Sequence, residues 1–179
     1  HVMGANDSNV KGHFENDVLN VLNDEILSEI GSSWDDVFYD ESKLTSDISV
    51  EKLKEKILEE FQDKKIFSIK DPRIIFLFPL YKQVLDELDI NIKIILPYRN
   101  PVEVAHSLKK RNNFSLETGL LLWSYHFLLA EKYTRDYDRV FVDFDDLVSN
   151  TENVINLISK KINWILIMCR IRIENRLRV

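Results

Sequence analysis

The stretch Ile92-Lys93-Ile94-Ile95-Leu96-Pro97-Tyr98-Arg99-Asn100-Pro101-Val102-Glu103-Val104-Ala105-His106-Ser107-Leu108-Lys109-Lys110-Arg111 decides how the rest of the chain reads. Its aliphatic first part, bounded by polar residues, reads as a buried strand. The apolar residues Val102, Ala105 and Leu108 that follow are spaced as on a helix. Between them Asn100 can cap, Pro101 suits the first helical position because its missing N–H is not needed there, and Glu103 completes a capping box. The turn leaves Arg99 at the carboxyl end of a strand beside a helix N-terminus, with Ser107 two turns into the helix. That arrangement favours a phosphate held by Arg99 and Ser107. Spacing alone favours a plain strand-to-helix junction with a surface arginine, since single matches of this kind are weak.

Working outward, Lys65-Ile66-Phe67-Ser68-Ile69 reads as a strand ending at Lys70-Asp71-Pro72-Arg73, and Pro79 as the start of a helix with Leu80, Val84, Leu85 and Leu88 on its apolar face. Beyond the opening stretch, Ser115 caps a helix from Leu116 to Tyr133 that carries Leu120, Leu121, Ser124, Phe127, Leu128 and Glu131. A third strand spans Arg139 to Phe144, and a last helix runs from Glu152 to Lys161. Towards the N-terminus, Asn16 or Asp17 caps a helix with Val18, Leu22, Ile26 and Ile30 in step, stopped by Gly31. Trp34, Phe38 and Tyr39 read as packing anchors in an irregular stretch. A helix from Val50 to Phe61 then places Leu53, Ile57 and Phe61 on one face.

Strands alternating with helices predict an α/β fold with parallel pairing and right-handed crossovers, whose ligands bind at the carboxyl ends of the strands. Lys70-Asp71-Pro72-Arg73 and Arg99-Asn100 both lie at such ends and are expected to face one crevice.

The chain has 179 residues, 45% of them hydrophobic, which is enough for one core. A net charge of -6 argues against general nucleic-acid affinity, which needs a basic face. The single cysteine, Cys169, permits no internal disulfide and no cysteine metal site, so a reducing, cytoplasmic setting is expected. His1, His13, His106 and His126 show no metal-ligand spacing, and no apolar run reaches the ~18 residues of a membrane span. No signal peptide is visible, and with Met3 not in first position the chain reads as part of something longer. After Asn163 the tail changes character: Ile165 to Ile173 is aliphatic, with arginines at 170, 172, 176 and 178. Residues 1–161 are thus expected to form the domain, and 162–179 an atypical tail that fits either an edge strand or sequence without a native role.

Lys70-Asp71-Pro72-Arg73, Leu96-Pro97-Tyr98-Arg99-Asn100-Pro101-Val102-Glu103-Val104-Ala105-His106-Ser107-Leu108, Leu122-Trp123-Ser124-Tyr125 and Val140-Phe141-Val142-Asp143-Phe144-Asp145-Asp146-Leu147 together resemble bacterial members of the sulfotransferase family. The opening Asn6 to Asn16, with Leu22-Asn23-Asp24, resembles the segment just after that family's P-loop-like motif. The resemblance spans residues 3 to 160, and its most specific part is the Arg-Asn-Pro element with Ser107.

It implies a P-loop NTPase-like three-layer α/β sandwich and the donor 3'-phosphoadenosine 5'-phosphosulfate, with no metal. Arg99 and Ser107 match the family's ligands to the donor's 3'-phosphate. A guanidinium can grip a phosphate with two parallel hydrogen bonds while a hydroxyl adds a third. Transfer of a sulfonate to a hydroxyl acceptor needs a base and cations for the leaving charge. Glu15 is the first candidate base by position and Asp71 the second; Lys70 and Arg73 are the candidate cations. Glu15 also fits a helix N-terminal acid, and Asp71 a turn residue before Pro72.

The family's Gly-rich 5'-phosphosulfate loop is absent, since neither Gly4 nor Gly12 follows a strand. The chain is therefore expected to lack the first strand of the sheet, to expose strand edges open to homodimerisation, and to have little or no transferase activity alone. The acceptor class stays open among carbohydrate, lipid-headgroup and peptide hydroxyls. A P-loop kinase-like enzyme and a non-catalytic interaction module remain as alternatives.

Overall fold

The structure, a computed structural model, describes residues 15–44 and 47–162. The expectations for residues 1–14, including Gly4, Gly12 and His13, and for the tail after Ile162 lie outside them. The chain forms two compact units from interleaved stretches. The larger comprises the chain up to Ile92 with Asn100–Tyr137, and the smaller comprises Lys93–Arg99 with the chain from Asp138.

The larger unit holds α1 (Asp17–Glu29), α2 (Asp47–Phe61), α3 (Ile74–Glu87), α4 (Pro101–Asn112) and α5 (Leu116–Thr134). Their ends follow from local chemistry. The Asn16 side chain caps α1 by accepting from Leu19 N at 2.9 Å. Gly31, at φ +72°, closes it: Ser32 N donates to Leu27 O at 2.8 Å and Gly31 N to Ser28 O at 3.0 Å, the paired bonds of a Schellman stop. Asn100 caps α4 through Val102 N at 2.9 Å, and Ser115 caps α5 through Thr118 N at 3.0 Å. The core joins Leu19, Leu22, Ile26 and Leu27 of α1 to Leu53 and Ile57 of α2 and to Phe76, Leu77, Leu80, Tyr81, Val84 and Leu85 of α3.

Three expectations are corrected in this unit. Residues 65–69 form no strand, because strand pairing needs a neighbour and none is present among the described residues. The segment keeps only the alternation of one: Phe67 and Ile69 pack against the core while Ile66 and Ser68 are exposed, and Phe67 stacks on Phe61 at 4.3 Å.

Pro79 does not start a helix but lies inside α3, which begins at Ile74. A proline inside a helix costs about 3 kcal/mol, yet Phe76 and Leu77 are fully buried one turn earlier, and burying each contributes about 1.5–3 kcal/mol. Burial outweighs the proline. The Tyr39 hydroxyl secures this turn by donating to Phe76 O at 2.7 Å, and burial, then Glu41, raises its pKa well above the ordinary value.

On α5 the buried side carries Gly119 and Leu122, with Tyr125 and Leu129 packed on the core, whereas Leu121 and Leu128 are exposed. The face is set by the closest approach of α4. A Cβ on Gly119 would stand 2.8 Å from Ala105 Cα. Of the three expected anchors, Tyr39 is buried and Trp34 stacks on Phe114 at 6.1 Å, but Phe38 is 89% exposed, its backbone N–H held in a turn by Asp36.

The smaller unit contains β1 (Ile94–Tyr98), β2 (Arg139–Asp143), α6 (Phe144–Ser149) and α7 (Thr151–Lys161). Among the described residues the sheet has two strands, paired in parallel with Ile94 opposite Arg139 and Tyr98 opposite Asp143. The long connection through α4 and α5 is what a parallel pair requires. Val140 and Val142 bury against Val154, Ile158 and Ile162. Because Ile94 N donates to Asp138 O, the backbone groups of residues 94, 96 and 98 face β2 and those of 95 and 97 face outward. Pro97 thus brings no N–H to the outer edge, the position where a strand tolerates proline.

The chain is therefore mixed α/β, with a small parallel sheet and flanking helices.

Candidate functional site

The larger unit contains a cluster of polar side chains around the start of α1 and the start of α3. Leu19, Leu22 and Ile26 turn one face of α1 into the core, and that face also carries Asn20 and Asn23, both buried. Lys70, Asp71 and Arg73 precede α3, where the Asp71 carboxylate accepts from Arg73 N at 2.9 Å and forms an Asx turn. The packing of α1 on α3 brings these two sequences together.

Glu15 lies just before the cap of α1 and is 5% exposed. Its Oε1 accepts from Lys70 Nζ at 2.6 Å and its Oε2 from Asn20 Nδ2 at 2.8 Å, with Arg73 Nη1 at 3.8 Å from Oε2. Its partners are side chains, not the N–H groups that begin α1. The Asp71 side chain is enclosed too, at 2% exposure. Its Oδ1 accepts from the Arg73 backbone and from Arg73 Nη1 at 3.1 Å, and its Oδ2 from Asn23 Nδ2 at 3.0 Å and Asn20 Nδ2 at 3.4 Å. Asn23, with no exposed surface, also accepts from the Tyr81 hydroxyl at 3.0 Å. Arg73 Nε donates to Asp24.

Three carboxylates thus face two cations, and each carboxylate has a cation partner. Burial works against the charge of Arg73, but the hydrogen bonds and charges of Asp24 and Asp71 outweigh it and raise its pKa. Burial drives the Tyr81 hydroxyl well above its ordinary value despite the opposing bond to Asn23. Lys70 is the more exposed of the two cations, its side chain 61% exposed against 16% for Arg73.

Four of the six residues selected from the sequence, Glu15, Lys70, Asp71 and Arg73, therefore come together. The expectation that a single sheet aims Lys70-Asp71-Pro72-Arg73 and Arg99 into one crevice is corrected, since residues 65–69 join no sheet among the described residues. Arg99 belongs to the smaller unit, where its guanidinium lies over the Phe144 ring with Cζ 4.9 Å from the centroid. Ser107 lies exposed on α4 in the larger unit.

The sequence reading gave no site role to Asn20, Asn23, Asp24 or Tyr81, and quoted Asn23 and Asp24 only within the resemblance. A signal existed for the first two: Asn23 stands three or four residues from Leu19, Ile26 and Leu27, and Asn20 three from Asn23, on the helical face those residues bury, and a buried amide needs partners.

Among the described residues no helix is long and apolar enough to cross a membrane, and no three or more His, Cys, Asp or Glu side chains group so as to hold a metal ion. No family model, curated protein or solved structure matches the chain.

Proposed function

We propose that the chain is a sulfotransferase-type domain. In this reading it binds 3'-phosphoadenosine 5'-phosphosulfate and, in its complete form, transfers the sulfonate group to a hydroxyl acceptor. The observation that supports the reading is the gathering of Glu15, Lys70, Asp71 and Arg73, selected from the sequence for this chemistry, into one cluster. Arg99 at the end of β1 and Ser107 on α4 are the proposed ligands to the donor's 3'-phosphate.

In the transfer, an acceptor oxygen forms a bond to sulfur and gives its proton to Glu15. The bridging bond from sulfur to the 5'-phosphate oxygen breaks, and 3'-phosphoadenosine 5'-phosphate leaves. Lys70, the more exposed of the two cations, meets the charge that develops on the leaving phosphate. Asp71 keeps its turn role and holds Arg73. Because the sequence has no Gly-rich phosphosulfate loop, the 179-residue chain is expected to bind the nucleotide without measurable turnover.

Calorimetric titration with 3'-phosphoadenosine 5'-phosphate tests the assignment. Arg99→Ala should weaken binding about 10- to 100-fold, as loss of a bidentate charged contact does, and Ser107→Ala about 2- to 10-fold. Binding unchanged in both variants would sink the assignment.

A second reading, a non-catalytic interaction module, draws on a different observation. Glu15 and Asp71 have their oxygens occupied inside the cluster, and no described buried polar side chain lacks a partner. A cluster closed on itself serves as a rigid polar core as readily as a reaction centre.

A further inference from the structure

The geometry assigns Phe144 as a positioning residue for Arg99. This rests on the nucleotide-binding reading only for what Arg99 holds, a phosphate; the positioning itself follows from the smaller unit alone. The parallel register ends with Tyr98 opposite Asp143, so the next residue on each strand, Arg99 and Phe144, emerge side by side from the ends of β1 and β2. Phe144 is fixed there on its own account. It is the first residue of α6, and Asp143 caps that helix by accepting from Asp145 N at 2.8 Å and Asp146 N at 3.2 Å.

The ring is held beneath the guanidinium, with Cζ 4.9 Å from its centroid, within the range of a cation–π contact. Exposed at the sheet end, it does not belong to the apolar cluster of Val140, Val142, Val154, Ile158 and Ile162. Packing of the core therefore does not account for an aromatic residue here.

A ring against the face of a guanidinium fixes its plane and so the directions of its N–H groups. A bidentate grip on a phosphate needs that plane set in advance, because every rotamer excluded before binding is entropy not lost during it. Phe144 therefore acts through Arg99 and touches no phosphate itself.

The test uses the full chain with Phe144→Leu and Phe144→Tyr, and has two readouts. In the free protein, the Arg99 Nε–H resonance is displaced by the ring current. It should move towards its unperturbed position in Phe144→Leu and stay displaced in Phe144→Tyr. In titrations, the preference for 3'-phosphoadenosine 5'-phosphate over adenosine 5'-monophosphate should fall about two- to fivefold in Phe144→Leu and be kept in Phe144→Tyr.

An Arg99 resonance unmoved in Phe144→Leu overturns the assignment, and so does a leucine variant that keeps the full preference. If the wild-type chain shows no preference for the 3'-phosphate, the nucleotide reading fails. The resonance still decides whether the ring orients the arginine.

Discussion

Arg73 and Lys70 carry the same charge into one cluster but under different solvation. Arg73 is 16% exposed at its side chain and bridges Asp24 and Asp71. Arg73→Met leaves those carboxylates and Glu15 short of a cation in a poorly hydrated site, and unfolding by denaturant should show a loss of about 3–5 kcal/mol. Lys70→Met takes from the enclosed Glu15 carboxylate its 2.6 Å cation but leaves it Asn20 and, at 3.8 Å, Arg73, so it should cost less than Arg73→Met, about 1–3 kcal/mol in the same measurement.

His126 offers a pH readout at the same scale. Its ring meets Phe76 edge-on at 4.8 Å and bonds Trp34 O at 2.9 Å, and burial lowers its pKa below the ordinary 6.5 despite that bond and the nearby charge of Asp35. The unfolded chain therefore takes up a proton first as pH falls through 6.5, and the native state loses stability until the lower native pKa is reached. Thermal unfolding followed downward through this range should lose up to about 1.4 kcal/mol per pH unit in the wild type. His126→Gln should flatten the profile.

At the scale of elements, α4 and α5 meet where Gly119 faces Ala105. Gly119→Ala puts a methyl group 2.8 Å from the Ala105 backbone, which no side-chain rotation relieves. A loss of about 1–3 kcal/mol should appear in denaturant unfolding, even though alanine is the better helix former. Serine at the same position should cost at least as much.

Helix ends were legible in the sequence because their causes are local. Asn16, Gly31, Asn100 and Ser115 each act on backbone groups within a few residues, and each lies where its spacing predicted. Residues 65–69 were misread because a strand depends on a partner elsewhere, and Pro79 because burial of Phe76 and Leu77 is set by other helices. The cluster divides in the same way. Glu15, Lys70, Asp71 and Arg73 stood out as charged residues near turns, while Asn20, Asn23 and Tyr81 gain their roles only once α1 packs on α3. Reading α1 as a stripe of Val18, Leu22, Ile26 and Ile30 placed its buried face slightly off, and the two asparagines fell outside it.

For the molecule as a whole, the central claim is that the chain recognises a nucleotide by its 3'-phosphate. The arginine at the carboxyl end of β1, in its parallel pair with β2, suits such recognition. The direct measurement is calorimetric titration of the wild-type chain with 3'-phosphoadenosine 5'-phosphate and, separately, with adenosine 5'-monophosphate and ATP. The 3'-phosphorylated nucleotide should bind at least about tenfold more tightly than either, the difference expected of a charge-assisted phosphate grip. Equal affinities for all three, or no binding of the 3'-phosphorylated nucleotide, would contradict the claim.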